Sequence, residues 1–158
     1  MKALLKAILV GAVLSAAGVA LAADAADPIV GTWTLNVAKS KFNPGPAPKS
    51  QTRTYSVDSD GVSVSVSGIR ADGTATSQES TFKYDGKAYA MKGTADYDAI
   101  SLKKVNATTV KSVLMKAGKT VGTTTRTISA HGKVLTLSTK ATDAEGKPYD
   151  NIAVYDKQ

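Results

Sequence analysis

Residues 51–68 read QTRTYSVDSDGVSVSVSG. Val62, Val64 and Val66 alternate strictly with Ser63, Ser65 and Ser67. That alternation puts an apolar and a polar face on one strand, at the strand period of two. Gln51–Val57 has the same Thr- and Tyr-rich composition, and Asp58-Ser-Asp-Gly61 between the two runs carries the residues of a reversing turn. The stretch therefore reads as two antiparallel strands. Working outward, Gly-bearing cuts recur at Asp72-Gly73, Asp85-Gly86, Ala117-Gly118, His131-Gly132 and Glu145-Gly146. Between them lie Ile29–Asn36, Thr74–Tyr84, Lys87–Met91, Ile100–Val105, Thr108–Lys116, Val121–Ser129, Val134–Ala141 and Tyr149–Tyr155, all strand-like. A tight hairpin is expected at Asp85-Gly86. The spacing predicts an all-β fold, an antiparallel up-and-down barrel of about eight to ten strands.

Two stretches break the rhythm. Val37–Ser50 holds a run suited to a short helical turn and then Asn43-Pro-Gly-Pro-Ala-Pro48, whose prolines cannot donate to a central strand. It reads either as a lid over the barrel or as a rigid crossover that caps one end. Gly93–Asp98 is the second irregular stretch. Gly68, Gly93 and Gly122 are candidate bulges.

Residues 1–22 have the pattern of a cleavable signal peptide. Lys2 and Lys6 precede an apolar run from Ala7 to Leu21, and Ala20-Leu21-Ala22 is a small-x-small cleavage site. The expected organisation is a signal peptide at 1–22 and one barrel domain at 23–158, exported to the periplasm or the medium, with no membrane anchor after cleavage. The chain contains no cysteine. A lipidated cysteine is thereby excluded, and the fold must stand without disulfides. The formal charge is +7, and loss of Lys2 and Lys6 lowers it to +5. The lysines are scattered, many beside turns, as expected of a solubilising surface. No basic stripe with interleaved aromatics is present, so no nucleic-acid partner is expected.

Gly31-Thr32-Trp33 resembles the G-x-W signature that opens lipocalin-like barrels. The resemblance implies that Trp33 plugs the closed end and that a late basic side chain, Arg126 or Lys157, packs across its ring. The longer stretch GTWTLNVAKSKFNPGPAP, residues 31–48, is similar to a group of small exported bacterial proteins of uncharacterised function. That similarity extends through the turn pattern to Tyr155. It implies fold and export and assigns no activity.

Arginine is scarce: Arg53, Arg70 and Arg126 stand against many lysines. Arg70 adjoins a turn and reads as surface. Arg53 and Arg126 fall in mid-strand, where a planar fork suits a carboxylate or phosphate. Gln51, Arg53 and Tyr55 share one strand face. Facing inward they form a polar ligand wall; facing outward they leave Thr52, Thr54 and Ser56 inside. Threonine and serine make poor cores, which favours Tyr55 inward. The candidate ligand-binding set is Arg53, Tyr55, Arg126, Tyr84 and Tyr89, the tyrosines offering a ring with a polar tip. Glu79 is a mid-strand carboxylate that could pair with Arg53 or Arg126 across the barrel.

Catalytic chemistry has little to work with. His131, the single histidine, sits in a turn. No thiol, phosphate loop, dinucleotide fingerprint or metal-ligand spacing is present, and Asp58/Asp60 and Asp96/Asp98 match turn roles. The reading is a non-enzymatic barrel, without cofactor or metal, for a small amphipathic or acidic hydrophobic ligand. The alternative is a protein-binding module, such as a protease inhibitor acting through an N-terminal arm at Ala23–Pro28.

Overall fold

A computed structural model describes residues 27–158; the signal peptide expected at 1–22 lies outside the described residues. The strands are β1 (Gly31–Leu35), β2 (Lys41–Asn43), β3 (Ser50–Asp58), β4 (Gly61–Ile69), β5 (Ala75–Phe82), β6 (Asp85–Ala90), β7 (Ala99–Lys104), β8 (Thr109–Lys116), β9 (Lys119–Ile128), β10 (Val134–Thr142) and β11 (Pro148–Lys157). Ten of them form one antiparallel path in the order β5-β4-β3-β1-β11-β10-β9-β8-β7-β6, and β2 adds to β11. The first and last strands of the chain meet in the middle of that path, where Trp33 pairs with Lys157 and Leu35 with Tyr155. The two ends of the path, β5 and β6, approach each other through a bridge between Glu79 and Lys92. The result is a nearly closed ten-stranded barrel with the expected up-and-down order.

The seam departs from the expected hairpin. Asp85-Gly86 does not fold β5 back onto β6. Asp85 instead pairs with Lys103 on β7, and the register shifts between Asp85 and Ala88. Gly86 has φ of +78°, and its carbonyl accepts from the Ser101 hydroxyl. Asp85 turns its carboxylate toward Lys87 N–H and the Tyr89 hydroxyl. The Asp-Gly pair thus supplies the positive-φ residue of a bulge in the β6–β7 ladder rather than a hairpin turn. The walls of the seam meet only near its far end, through the Glu79–Lys92 backbone bonds and a bond from Ser80 Oγ to the Ala90 carbonyl.

Of the three candidate bulge glycines, Gly122 lies at a bulge, since the β8–β9 register slips between Leu114 and Met115. Gly68 sits in unbroken register with Gln51 and Thr76. Gly93 has φ of +82° beside the seam bridge. The Val37–Ser50 stretch holds a short 3-10 turn, Val37–Lys39, as well as the unexpected three-residue β2.

One barrel end is closed by Ile29, Trp33, Ile128, Leu135 and the ring of Tyr155, all buried. Trp33 is fully buried, and its indole N–H donates to the Ile29 carbonyl at 2.7 Å. Lys157 Nζ lies 5.0 Å from the ring centroid, so Lys157 and not Arg126 crosses the tryptophan. Gly31 makes room for it: a Cβ there would sit 2.9 Å from Lys157 Cε. The first glycine of the G-x-W pattern is therefore where the lysine stem passes.

Candidate ligand cavity

Register decides which faces point inward. Arg53 pairs with buried Trp33, and Tyr55 pairs with Gly31 on one side and Val64 on the other. Residues directly opposite in a ladder share a face. Gln51, Arg53 and Tyr55 therefore join Trp33 and the buried valines inside, and Thr54 and Ser56 are exposed. On β9 the same parity brings Thr124 and Arg126 inward, with Arg126 opposite Leu137 and Val110.

These side chains border a cavity of about 610 Å³. Typical small-molecule pockets run from about 300 to 1,000 Å³. Apolar walls come from Val64, Phe82, Ile100, Leu102, Leu114 and Leu137. Polar walls come from Gln51, Thr76, Gln78, Ser112, Thr124, Thr139 and Asn151. Phe42, Pro46 and Pro48 lie over the open end, so the Pro-rich stretch both caps the barrel and lines its mouth. Asp72, Asp96 and Asp143 stand at the rim as turn braces. They accept, respectively, from Thr74 N–H, from Ala144 N–H, and from the N–H groups of Glu145 and Lys147.

Arg126 is 5% exposed. Its Nη2 donates to the Tyr84 hydroxyl at 2.7 Å, and its Nε has no hydrogen-bond partner. The guanidinium carbon lies 5.4 Å from the Tyr84 ring centroid and 5.9 Å from that of Tyr55. Arg53 is half-buried. Its Nε donates to the Tyr155 hydroxyl at 3.0 Å, and that hydroxyl donates to Gln51 Oε1. Burial works against the charge on Arg53, but Tyr155 and Tyr55 outweigh it, and its pKa moves up. Arginine takes part in none of the ion pairs among the described residues; those are Lys39–Asp156, Lys104–Asp27, Lys140–Asp150 and Lys147–Glu145. Two guanidinium groups thus reach into one cavity with tyrosine rings and hydroxyls about them and no carboxylate on either.

Of the five candidate residues, Arg53, Tyr55 and Arg126 line the cavity. Tyr84 lies behind Arg126 and reaches the cavity only through it. Tyr89 packs its ring against the core, but its hydroxyl turns away to Asp85 at 2.8 Å. Glu79 is exposed on the outer face of β5 and meets neither arginine; Gln78 and Ser80 take the inward positions. Arg70 is exposed at the rim, and His131 is exposed in the β9–β10 turn at the closed end.

Tyr97, Tyr149 and Tyr155 line the cavity and were not among the five. Burial raises the pKa of Tyr97, and it pushes Tyr149 up to about 12, with Tyr97, Asp96 and Asp143 adding to the shift. The signal for two of them lay in parity: Tyr149, Asn151, Ala153 and Tyr155 occupy one face of a single strand. Tyr97 lies in the irregular stretch, where no periodicity points to it.

No family model and no curated protein matches the chain.

Proposed function

We propose that this barrel is a non-catalytic binding protein for a small amphipathic acid, exported to the periplasm or the medium. The carrying observation is the pair of uncompensated guanidinium groups in the cavity. A buried charge without a partner costs several kcal/mol, and an anionic group brought in by a ligand would offset that cost. A carboxylate is the natural complement of an arginine fork. The apolar wall around Val64, Phe82 and Leu114 suits a hydrocarbon body, and the Pro-rich segment stands at the entrance.

Calorimetric titration with dodecanoate and with dodecanol tests the reading. Dodecanoate is expected to bind more tightly by about tenfold or more, the size of one charge-assisted hydrogen bond. Arg53→Gln should reduce that preference without unfolding the domain. Equal affinities, or binding of neither, would count against an acid-binding cavity. Native mass spectrometry of protein purified gently from its own cells would then show which molecule, if any, it carries.

The protein-binding alternative has a structural consequence. Asp27 is not a free arm residue: its carboxylate holds Lys104 Nζ at 3.0 Å and accepts from Ile29 N–H at 3.1 Å. An arm acting on a partner would have to lie before Asp27, and removal of residues 23–28 would disturb the barrel itself.

A further inference from the structure

Neighbouring strands place a row of polar side chains at one height inside the barrel. Ser112 on β8 is opposite Thr124 on β9, Thr124 is opposite Thr139 on β10, and Thr139 is opposite Asn151 on β11. All of them line the cavity. The rows on either side along the same strands are of a different kind. Towards the closed end stand Arg126, Leu137 and Ala153, and towards the mouth Leu114, Gly122 and Ala141. A hydroxyl or amide turned to the interior costs free energy unless it is hydrogen-bonded. Within the row, the Thr124 and Thr139 hydroxyls bond each other at 2.9 Å, and Asn151 Oδ1 accepts from Asn43 N–H at 3.1 Å. That pair uses one of its hydroxyl protons. The other threonine proton, the Ser112 hydroxyl and the Asn151 amide N–H groups are left to the cavity.

Gln51 and Arg53 extend this polar arc onto β3, beyond the short β1, and the Tyr155 hydroxyl joins them. The remainder of the ring is mostly apolar. Leu114, Leu102, Ile100, Phe82 and Val64 follow one another from β8 through β7 and across the seam to β5 and β4. Thr76 and Gln78 interrupt them, in the half of β5 nearer the rim turn at Asp72. The cavity is therefore divided lengthwise into a polar side and an apolar side, with Arg126 at the deep end of the polar one.

We propose that the acid this cavity takes is facially amphipathic: an anionic group at one end, hydroxyl groups along one side of the body and hydrocarbon along the other. The proposal rests on the acid-binding reading above and narrows it. The arginines meet the anion, the Ser112–Asn151 row bonds the hydroxyls, and the wall from Leu114 to Val64 packs the hydrocarbon. A plain fatty acid is apolar on every side; it would strip water from the row and return no hydrogen bond. The sign of the discrimination is diagnostic. An apolar cavity prefers the less hydroxylated of two otherwise identical acids, because each hydroxyl is costly to dehydrate. A cavity whose own polar groups need partners prefers the hydroxylated acid and rejects the analogue that leaves them unpaired.

The test is calorimetric titration of the intact protein with matched steroid probes. Cholate carries its hydroxyls on one face of a rigid ring system, and cholanate is the same skeleton without them; the alcohols made by reducing each carboxylate complete the set. Cholate is expected to bind at least about tenfold more tightly than cholanate, the size of one neutral hydrogen bond. Thr124→Val combined with Thr139→Val removes both hydroxyls of the pair, strands neither, and puts a good strand former at each position. That variant should lose the preference for hydroxyls and keep the preference for acid over alcohol. Ser112→Ala should lose part of it and carries the test if the double variant fails to fold. Equal affinities, or tighter binding of cholanate, would overturn the proposal, as would a hydroxyl preference untouched by these substitutions. Protein that binds dodecanoate and none of the steroid probes would overturn it and leave the acid-binding reading standing. Protein that prefers hydroxylated probes alike as acids and as alcohols, with no preference for acid, would sustain the polar row and remove the acid-binding reading. Binding of no probe would remove both.

Discussion

Arg126 is a buried charge that works against stability, a cost that the proposed ligand would offset. Its guanidinium is buried, has one hydrogen bond through Nη2, and leaves Nε unpaired. Cation–π contacts with Tyr84 and Tyr55 return about 0.5–2 kcal/mol each. Against that stands desolvation of several kcal/mol. Replacing buried ionic groups by apolar residues of similar volume is often neutral or stabilising. Arg126→Met is therefore expected to leave the ligand-free protein at least as stable as wild type, within about 1 kcal/mol, while dodecanoate affinity drops about tenfold or more. Chemical denaturation and calorimetric titration on the same preparation check both halves. A loss of more than about 3 kcal/mol would mark Arg126 as a structural strut.

Among the elements, the seam between β5 and β6 is where the barrel is held most lightly. The other neighbouring strands along the path share ladders, whereas these two meet at the Glu79–Lys92 bridge and the Ser80–Ala90 bond. Gly93 follows the bridge directly. It has φ of +82°, and a Cβ there would run into the Ser77 carbonyl and its carbon. Backbone on both sides leaves no flexible side chain to yield. Gly93→Ala should cost about 2 kcal/mol or more and part the seam first. Hydrogen exchange would show it as faster exchange at Glu79 and Lys92 N–H, with the β10–β11 ladder unaffected. Uniform loss of protection across the barrel would mean that the seam does not open independently.

At the scale of the whole molecule, the buried tyrosines set the alkaline limit. Tyr84 and Tyr149 are pushed up to about 12, chiefly by burial, from the usual value near 10. A raised folded-state pKa gives stability that is complete below about pH 10 and is lost as pH rises towards 12, because the unfolded chain ionises first. The denaturation midpoint should fall across that window, and Tyr149→Phe should flatten the slope. A midpoint flat to pH 12 would show that these phenols titrate normally. The acid limit has the opposite sign. Burial disfavours the charged form of Asp27, but Ile29 N–H and Lys104 outweigh it and hold its pKa low. Its contribution is present above about pH 4 and is lost as pH falls below that.

Much of this protein was legible in the chain because the signals were local. Strict Val/Ser alternation, glycine-bearing turns and the prolines of 43–48 act within a few residues of themselves, and they determined a barrel of short antiparallel strands with a capped end. Trp33 at the closed end followed from the G-x-W resemblance, and Gly31 shows why a glycine suits that place. The mid-strand position of Arg53 and Arg126 was visible, but the poor core quality of threonine and serine only favoured the inward direction of Arg53 and did not fix it. Only the pairing of Arg53 with Trp33 turned it inward. Asp85-Gly86 looked like a hairpin because the same two residues satisfy a hairpin turn and a bulge; pairing with Lys103 decided between them. Glu79 went outward because its neighbours Gln78 and Ser80 took the inner face. The contact of Tyr84 with Arg126 spans 42 residues, and the Lys104–Asp27 pair joins the chain's entry point to a strand far along it. No local pattern encodes such contacts. They arise when a closed sheet brings distant side chains of like parity into one interior.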